Sequence, residues 1–173
     1  VDVAGPGSRG EPRDVGTTDR GQRPPPHDRS VITMTATPIL PVPDDRDTGG
    51  FFQAAQERRL ALKRCRNCAT WLHLPRAYCY HCGSWDTGWE EVAGAATLYA
   101  WTVVVRPFHP AYQVPYTVVL VDVDEAPGVR LAGRLDGRPE LRVGQPMELW
   151  WEEIESPGEG PVLLPNWGPV ELG

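Results

Sequence analysis

The sequence predicts a mainly β protein: an N-terminal helix and a metal-stapled ribbon, followed by a small five-stranded β-barrel. Three observations predict it. All four cysteines fall into two Cys-x-x-Cys pairs, Cys65/Cys68 and Cys79/Cys82. From Ala96 onward, short runs of β-branched and aromatic residues are separated by Pro and Gly turns. No helical stretch interrupts those runs.

Residues 1–47 are expected to be a disordered leader or linker and an extended arm. Residues 1–30 are rich in Gly, Pro, Arg and Asp, with almost no large apolar side chains, so burial cannot offset the entropy of ordering them. Met34 is an alternative start, and His27 is most simply solvated. Residues 39–43 are apolar but broken by proline, which suits an extended arm lying on another surface. Residues 44–50 form a hinge.

Residues 48–90 are assigned to a helix and the ribbon. Residues 51–62 contain good helix formers without Gly or Pro and predict about three turns, with Asp47 and Thr48 as candidate caps. Phe51, Phe52, Ala55 and Leu62 would form the apolar side, packed on the body of the chain or offered to another protein. Two residues between cysteines let the backbone turn so that both sulfurs face one point. Two such turns close a tetrahedral, structural zinc site on Cys65, Cys68, Cys79 and Cys82, with no position left for substrate. Iron fits the same thiolates. The spacing between the pairs fits a rubredoxin-like ribbon with its ligands on hairpin tips, and leaves His73 and His81 as non-ligands. Arg58, Arg59, Lys63, Arg64 and Arg66 are five cations within nine positions. Either they meet an anion, such as coenzyme A phosphates or an acidic partner, or they line a solvated helix face.

Residues 91–173 are assigned to an OB-type barrel with a C-terminal tail. Strands are expected over 96–105, 116–124, 129–135 and 147–154, with a last short one at 162–165 after a turn at Pro157-Gly158. The 116–124 run is apolar enough to be buried on both faces, whereas 129–135 alternates and has one wet side, with Gly133 marking a bulge. Trp150 and Trp151 must point to opposite faces, and the outward one is a candidate interface anchor. The loop carrying Phe108 and His109 lies between the first two strands.

The net charge is -6, and from residue 120 onward eleven acids face four arginines. That balance disfavours a polyanion and argues against nucleic acid, the usual ligand of a zinc-ribbon and OB combination. No apolar run spans a bilayer and no export signal is visible, so a cytoplasmic location is expected. No nucleophile elbow, P-loop or dinucleotide fingerprint appears, so no catalytic residue is assigned. His109 lacks an identifiable partner.

The order of the Phe51-Phe52 helix, the paired knuckles with Pro75 before the second, and a small barrel resembles the acyl-CoA-associated OB-fold family with a rubredoxin-like zinc ribbon, long described as a domain of unknown function. The resemblance covers residues 50 to about 167. It implies a heteromeric partnership with a thiolase-superfamily enzyme, most like the small subunit of a lipid-transfer-protein-like aldolase that cleaves steroid side chains held as CoA thioesters. It places the carbon–carbon lyase chemistry on the partner and makes this chain a required but non-catalytic subunit, with acyl-CoA as a candidate ligand. Phe51, Phe52, Phe108, Trp150 and Trp151 are the expected partner interface. The alternatives are a nucleic-acid-binding zinc-ribbon/OB protein and a free-standing acyl-CoA-binding protein.

Overall fold

A computed structural model describes residues 38–155 and 160–170. The leader over 1–30, His27, Met34 and the Pro157-Gly158 turn lie outside the described residues. The described elements are one helix, α1 (Gly49–Gln56), and seven strands: β1 (Leu60–Cys65), β2 (Thr87–Val92), β3 (Ala96–Val104), β4 (Tyr116–Val123), β5 (Arg130–Asp136), β6 (Pro146–Ile154) and β7 (Val162–Pro169). No described helix is long and apolar enough to cross a membrane.

The helix is shorter than its composition suggests. It ends at Gln56, and Arg58 turns the chain with a positive φ of 55° while the Arg59 N–H returns to Ala54 O. Leu60, Ala61 and Leu62, expected as its last turn, belong instead to β1, paired antiparallel with β2 from Leu60↔Val92 to Cys65↔Thr87. Burial decides this: all three are buried, and a strand with a ladder partner buries residues on both faces where a helix end would expose some. At the other end, Thr48 holds the N-cap position without a side-chain cap bond. The expected cap residues are replaced by Asp45, whose carboxylate accepts from the Asp47 and Thr48 N–H groups and the Thr48 hydroxyl. The Thr48 backbone bond, first among these, lowers the Asp45 pKa. Gly50 is required by close approach, because a Cβ there would stand 2.1 Å from Trp89 Nε1. Thus the start of α1 lies against the Trp89 side chain, while β1 and β7 are the strands on which the helix packs.

The five remaining strands form one antiparallel sheet in the order β5-β4-β3-β6-β7. The strands fall where the alternating runs placed them, but β7 reaches Pro169, and β2 is a strand that the sequence reading did not name. The register shift sits in β3 between Leu98 and Ala100, not at Gly133, whose pairing with Val119 is regular. Gly133 serves a different need: a Cβ there would meet Trp167 N at 3.0 Å and Asn166 Cα at 3.3 Å. The sheet curls until its two edge strands, β5 and β7, face each other at this point. The seam is bridged by a side chain. Asn166 Oδ1 accepts the Arg134 N–H at 2.6 Å, and its Nδ2 donates to Glu152 Oε2 at 2.7 Å, while Glu152 also pairs with the Arg134 guanidinium.

Inside the curl, Leu98, Val119, Val121, Met147 and Trp167 are fully buried, and the Trp167 indole donates to Gly94 O at 2.9 Å. Leu60, Leu62 and Val92 join the same core, so the ribbon strands and the curled sheet are packed around one apolar centre. The Asn166 bridge yields a test. Asn166→Ala leaves the Arg134 N–H and the Glu152 carboxylate short of a partner, and urea unfolding in zinc-replete buffer should show a loss of about 1–3 kcal/mol.

Candidate metal centre and apolar cleft

Each cysteine pair is built by the same turn. In the first, Cys65 N–H donates to Thr70 O and Cys65 O accepts from Ala69 N–H; in the second, Cys79 N–H donates to Ser84 O and Cys79 O accepts from Gly83 N–H. The fourth residue after the leading cysteine has positive φ in both, 58° at Ala69 and 74° at Gly83. That left-handed residue closes the knuckle. The first knuckle is a true hairpin tip, since Arg64 bridges to Trp71 beyond it. The second stands on turns without flanking strands.

The four sulfurs all lie within 4.8 Å of one another. Cys65 and Cys82 Sγ are 3.7 Å apart, and Cys68 and Cys79 Sγ 3.6 Å. A tetrahedron of roughly 2.3 Å zinc–sulfur bonds has edges of about 3.8 Å, so the four thiolates fit zinc and close its coordination sphere. Neither His73 nor His81 belongs to the cluster among the described residues. The surroundings treat the thiols unequally. The Thr70 hydroxyl and backbone pull Cys68 down to about 6. The Ser84 backbone and the Asn67 amide lower Cys82, and burial pushes Cys79 up to about 11. Zinc supplies positive charge and must displace the Cys79 proton.

The five expected cations do not share one face. Arg58 pairs with Glu153, Arg59 with Glu57 and Glu91, and Arg66 with Asp86. Consecutive strand residues point oppositely. Lys63 is buried beside Trp89, while Arg64 lies over Trp71, bonded to Glu90 and Ala69 O. The helix face proposed for them does not exist, because the helix has ended.

The expected interface residues are partly brought together. Phe51 and Phe52, half-buried and edge-to-face at 5.2 Å, line one open cleft of about 440 Å³ with Phe108, which is 68% exposed. Phe108 stacks on Tyr112, which leads to Tyr116 at the cleft floor. Arg134 and Glu152 form the polar end. Trp151 is partly buried and packs against the core. Trp150, 38% exposed, lies outside the cleft on the same strand face as Glu152. Sequence reasoning missed Tyr112, Arg134 and Asn166, which are distant along the chain and meet only when the sheet curls.

Residues 89–152 match the family described as ChsH2, C-terminal OB-fold domain, and residues 52–86 the family described as ChsH2, rubredoxin-like zinc ribbon domain. A protein from Thermomonospora curvata, described as a probable enoyl-CoA hydratase alpha subunit, is 39% identical over 123 residues, 70% of this chain; the chain spans 38% of that relative's length. A solved structure described as the Ltp2-ChsH2(DUF35) aldolase is 36% identical with a TM-score of 0.64, covering 76% of this chain and 98% of that one. A DUF35-family protein of unknown function from Sulfolobus solfataricus is 18% identical over 58% of this chain and 74% of its own length, with a TM-score of 0.45, too loose a likeness to carry an argument.

Two measurements check the centre. Metal analysis should find one zinc per chain, and Cys79→Ser should lose both the metal and ribbon structure. Zinc affinity should also rise with pH through neutrality, with proton release on binding, because a thiol raised to about 11 is protonated there in the metal-free form. Competition with a chelator at pH 6 and pH 8 reads this directly.

Proposed function

From the premise that the chain belongs to the ChsH2 family of zinc-ribbon and OB-fold proteins, we propose that it is the accessory subunit of an aldolase and docks on a catalytic partner through the apolar cleft beside α1. The observation that carries this reading is the likeness to the Ltp2-ChsH2(DUF35) aldolase, which this chain covers over 98% of the matched chain at 36% identity. The partner is a thiolase-superfamily, lipid-transfer-protein-like enzyme, and its substrate is an acyl-CoA, a steroid side chain held as a thioester.

The surface chemistry supports docking. Phe108 is exposed beside a cleft walled by Phe51 and Phe52, and aromatic side chains left in water are the groups that an interface gains most by burying, at about 25 cal/mol per Å². Leu74, Tyr80 and Trp85 are further exposed apolar side chains on the ribbon. Arg58 and Arg59 are paired only to exposed carboxylates. Such pairs are weak, and Arg66 is held in the same way by exposed Asp86, so these three arginines are the members of the cation group able to exchange an internal acid for CoA phosphates or an acidic partner surface. Cleavage of the carbon–carbon bond belongs to the partner, and this chain completes its fold or its substrate entrance.

The test compares partner alone, this chain alone and the mixture for retro-aldol cleavage of an acyl-CoA. Activity is expected only from the mixture; full activity from the partner alone would show the chain to be dispensable. Phe108→Ser should weaken association by at least about tenfold while leaving zinc content and far-UV circular dichroism unchanged.

A further inference from the structure

The buried polar residues among those described are Lys63, Thr117 and Asn166. Thr117 donates its hydroxyl to Gly137 O, and Asn166 is bonded through both ends of its amide. Lys63 differs. It is 8% exposed, and the only contact found for its ammonium among the described residues is the face of the Trp89 ring, 5.2 Å from the centroid. The neighbouring acids are taken, Glu90 by Arg64 and Glu91 by Arg59. An aromatic face offsets only part of the cost of desolvating an ammonium, and buried charges are ordinarily paired.

Lys63 is one of the residues that line a pocket. No sealed side-chain nitrogen or oxygen among the described residues lacks a partner, so Nζ keeps accessible surface. The pocket that Lys63 lines, between α1, the β1–β2 ribbon and the 72–75 turn, holds about 170 Å³ and has no carboxylate in its walls. Leu62, Leu72 and Trp89 make it apolar. His73 also lines it, and burial lowers the His73 pKa, which disfavours a second cation there. The volume corresponds to roughly five or six water-sized groups. One cation in apolar walls suits a monoanion with a hydrocarbon tail, whereas a phosphate would call for several donors.

We propose that this pocket binds a short aliphatic carboxylate, with its head on the Lys63 ammonium and its tail against Leu62, Leu72 and Trp89. The carboxylate supplies the counter-charge that neither Glu90 nor Glu91, both paired with arginines, gives to Lys63. Phe51 and Phe52 wall both this pocket and the larger cleft, so the carboxylate sits against the helix that borders the docking surface. The site stands on Lys63 and its walls alone and does not depend on the aldolase reading.

The experiment titrates sodium butyrate into the zinc-loaded chain and follows the Trp89 indole 15N–1H signal, assigned with Trp89→Phe. A saturable shift in the millimolar range is expected. Lys63→Met, which keeps an apolar stem, should weaken it by at least about tenfold, the loss of one charge-assisted contact, and Lys63→Arg should stay within about threefold. 1-Butanol, which has the tail without the charge, and sodium chloride, the charge without the tail, should each bind at least about tenfold more weakly. Equal binding by Lys63→Met, an equal response to butanol or chloride, or no saturable shift up to about 50 mM butyrate would overturn the proposal. If Lys63→Met fails to retain zinc, the contrast of butyrate with butanol and chloride on the unaltered chain decides the matter.

Discussion

Bringing four thiolates to one point fixes more than the ribbon, because the strand that ends in the first ligand also enters the core. Cys65 is the last residue of β1, and Leu60 and Leu62 of that strand are packed with Val119, Val121 and Trp167. Zinc that orients Cys65 therefore orients β1, and β1 sets β2 through a continuous ladder. Trp89 on β2 then dictates where α1 can lie, since only a residue without a Cβ fits at Gly50. A metal–ligand angle is transmitted to a helix about which the metal has no direct information. The two knuckles share one hydrogen-bond pattern, although Ala69 occupies in the first the left-handed position that Gly83 holds in the second. A non-glycine residue there costs on the order of 1–2 kcal/mol, which metal ligation outweighs.

What was legible in the sequence was whatever is encoded locally. Paired Cys-x-x-Cys turns fix their own geometry, and β-branched runs over 96–105 and 116–124 declare strands whatever surrounds them. The end of α1 was not legible. Residues 57–62 favour a helix by propensity, and the ladder with β2, some thirty residues away, overrides them. Gly133 illustrates the same limit: a glycine in a strand signals either a bulge or a close approach, and only the arrival of β7 decides between them. The cation cluster was legible as charge but not as pairing. Apart from Glu57, two residues before Arg59, its acids are Asp86, Glu90, Glu91 and Glu153, which are remote in sequence.

The acid excess of the C-terminal half takes on meaning through those pairs. Glu152 and Glu153 are adjacent on β6 and point to opposite faces, one into the β5–β7 seam and the other toward Arg58 beside α1. One strand thus ties the curl of the sheet to the turn after the helix. The seam itself is polar, and its two edge strands meet through Asn166 in place of a ladder among the described residues. Edge strands left bare invite pairing with other chains, and a side-chain bridge across facing edges removes part of that exposure while leaving the curl less rigid than a closed barrel.

The helix is the element on which these constraints converge. It is eight residues long, too short to be stable by itself, so its position is set by what holds it: the Asp45 carboxylate at its start, Trp89 beneath Gly50, and the Arg58–Glu153 pair just past its end. Phe51 and Phe52 project from it between the two recesses, and each recess has a polar or charged group where its walls are otherwise apolar, Lys63 in one and Arg134 with Glu152 in the other. The same two rings wall both recesses. Because those rings pack edge-to-face and Phe51 also touches the core, they have little room to respond independently. The two recesses therefore meet at this pair of rings, with no long stretch of the fold between them at that point.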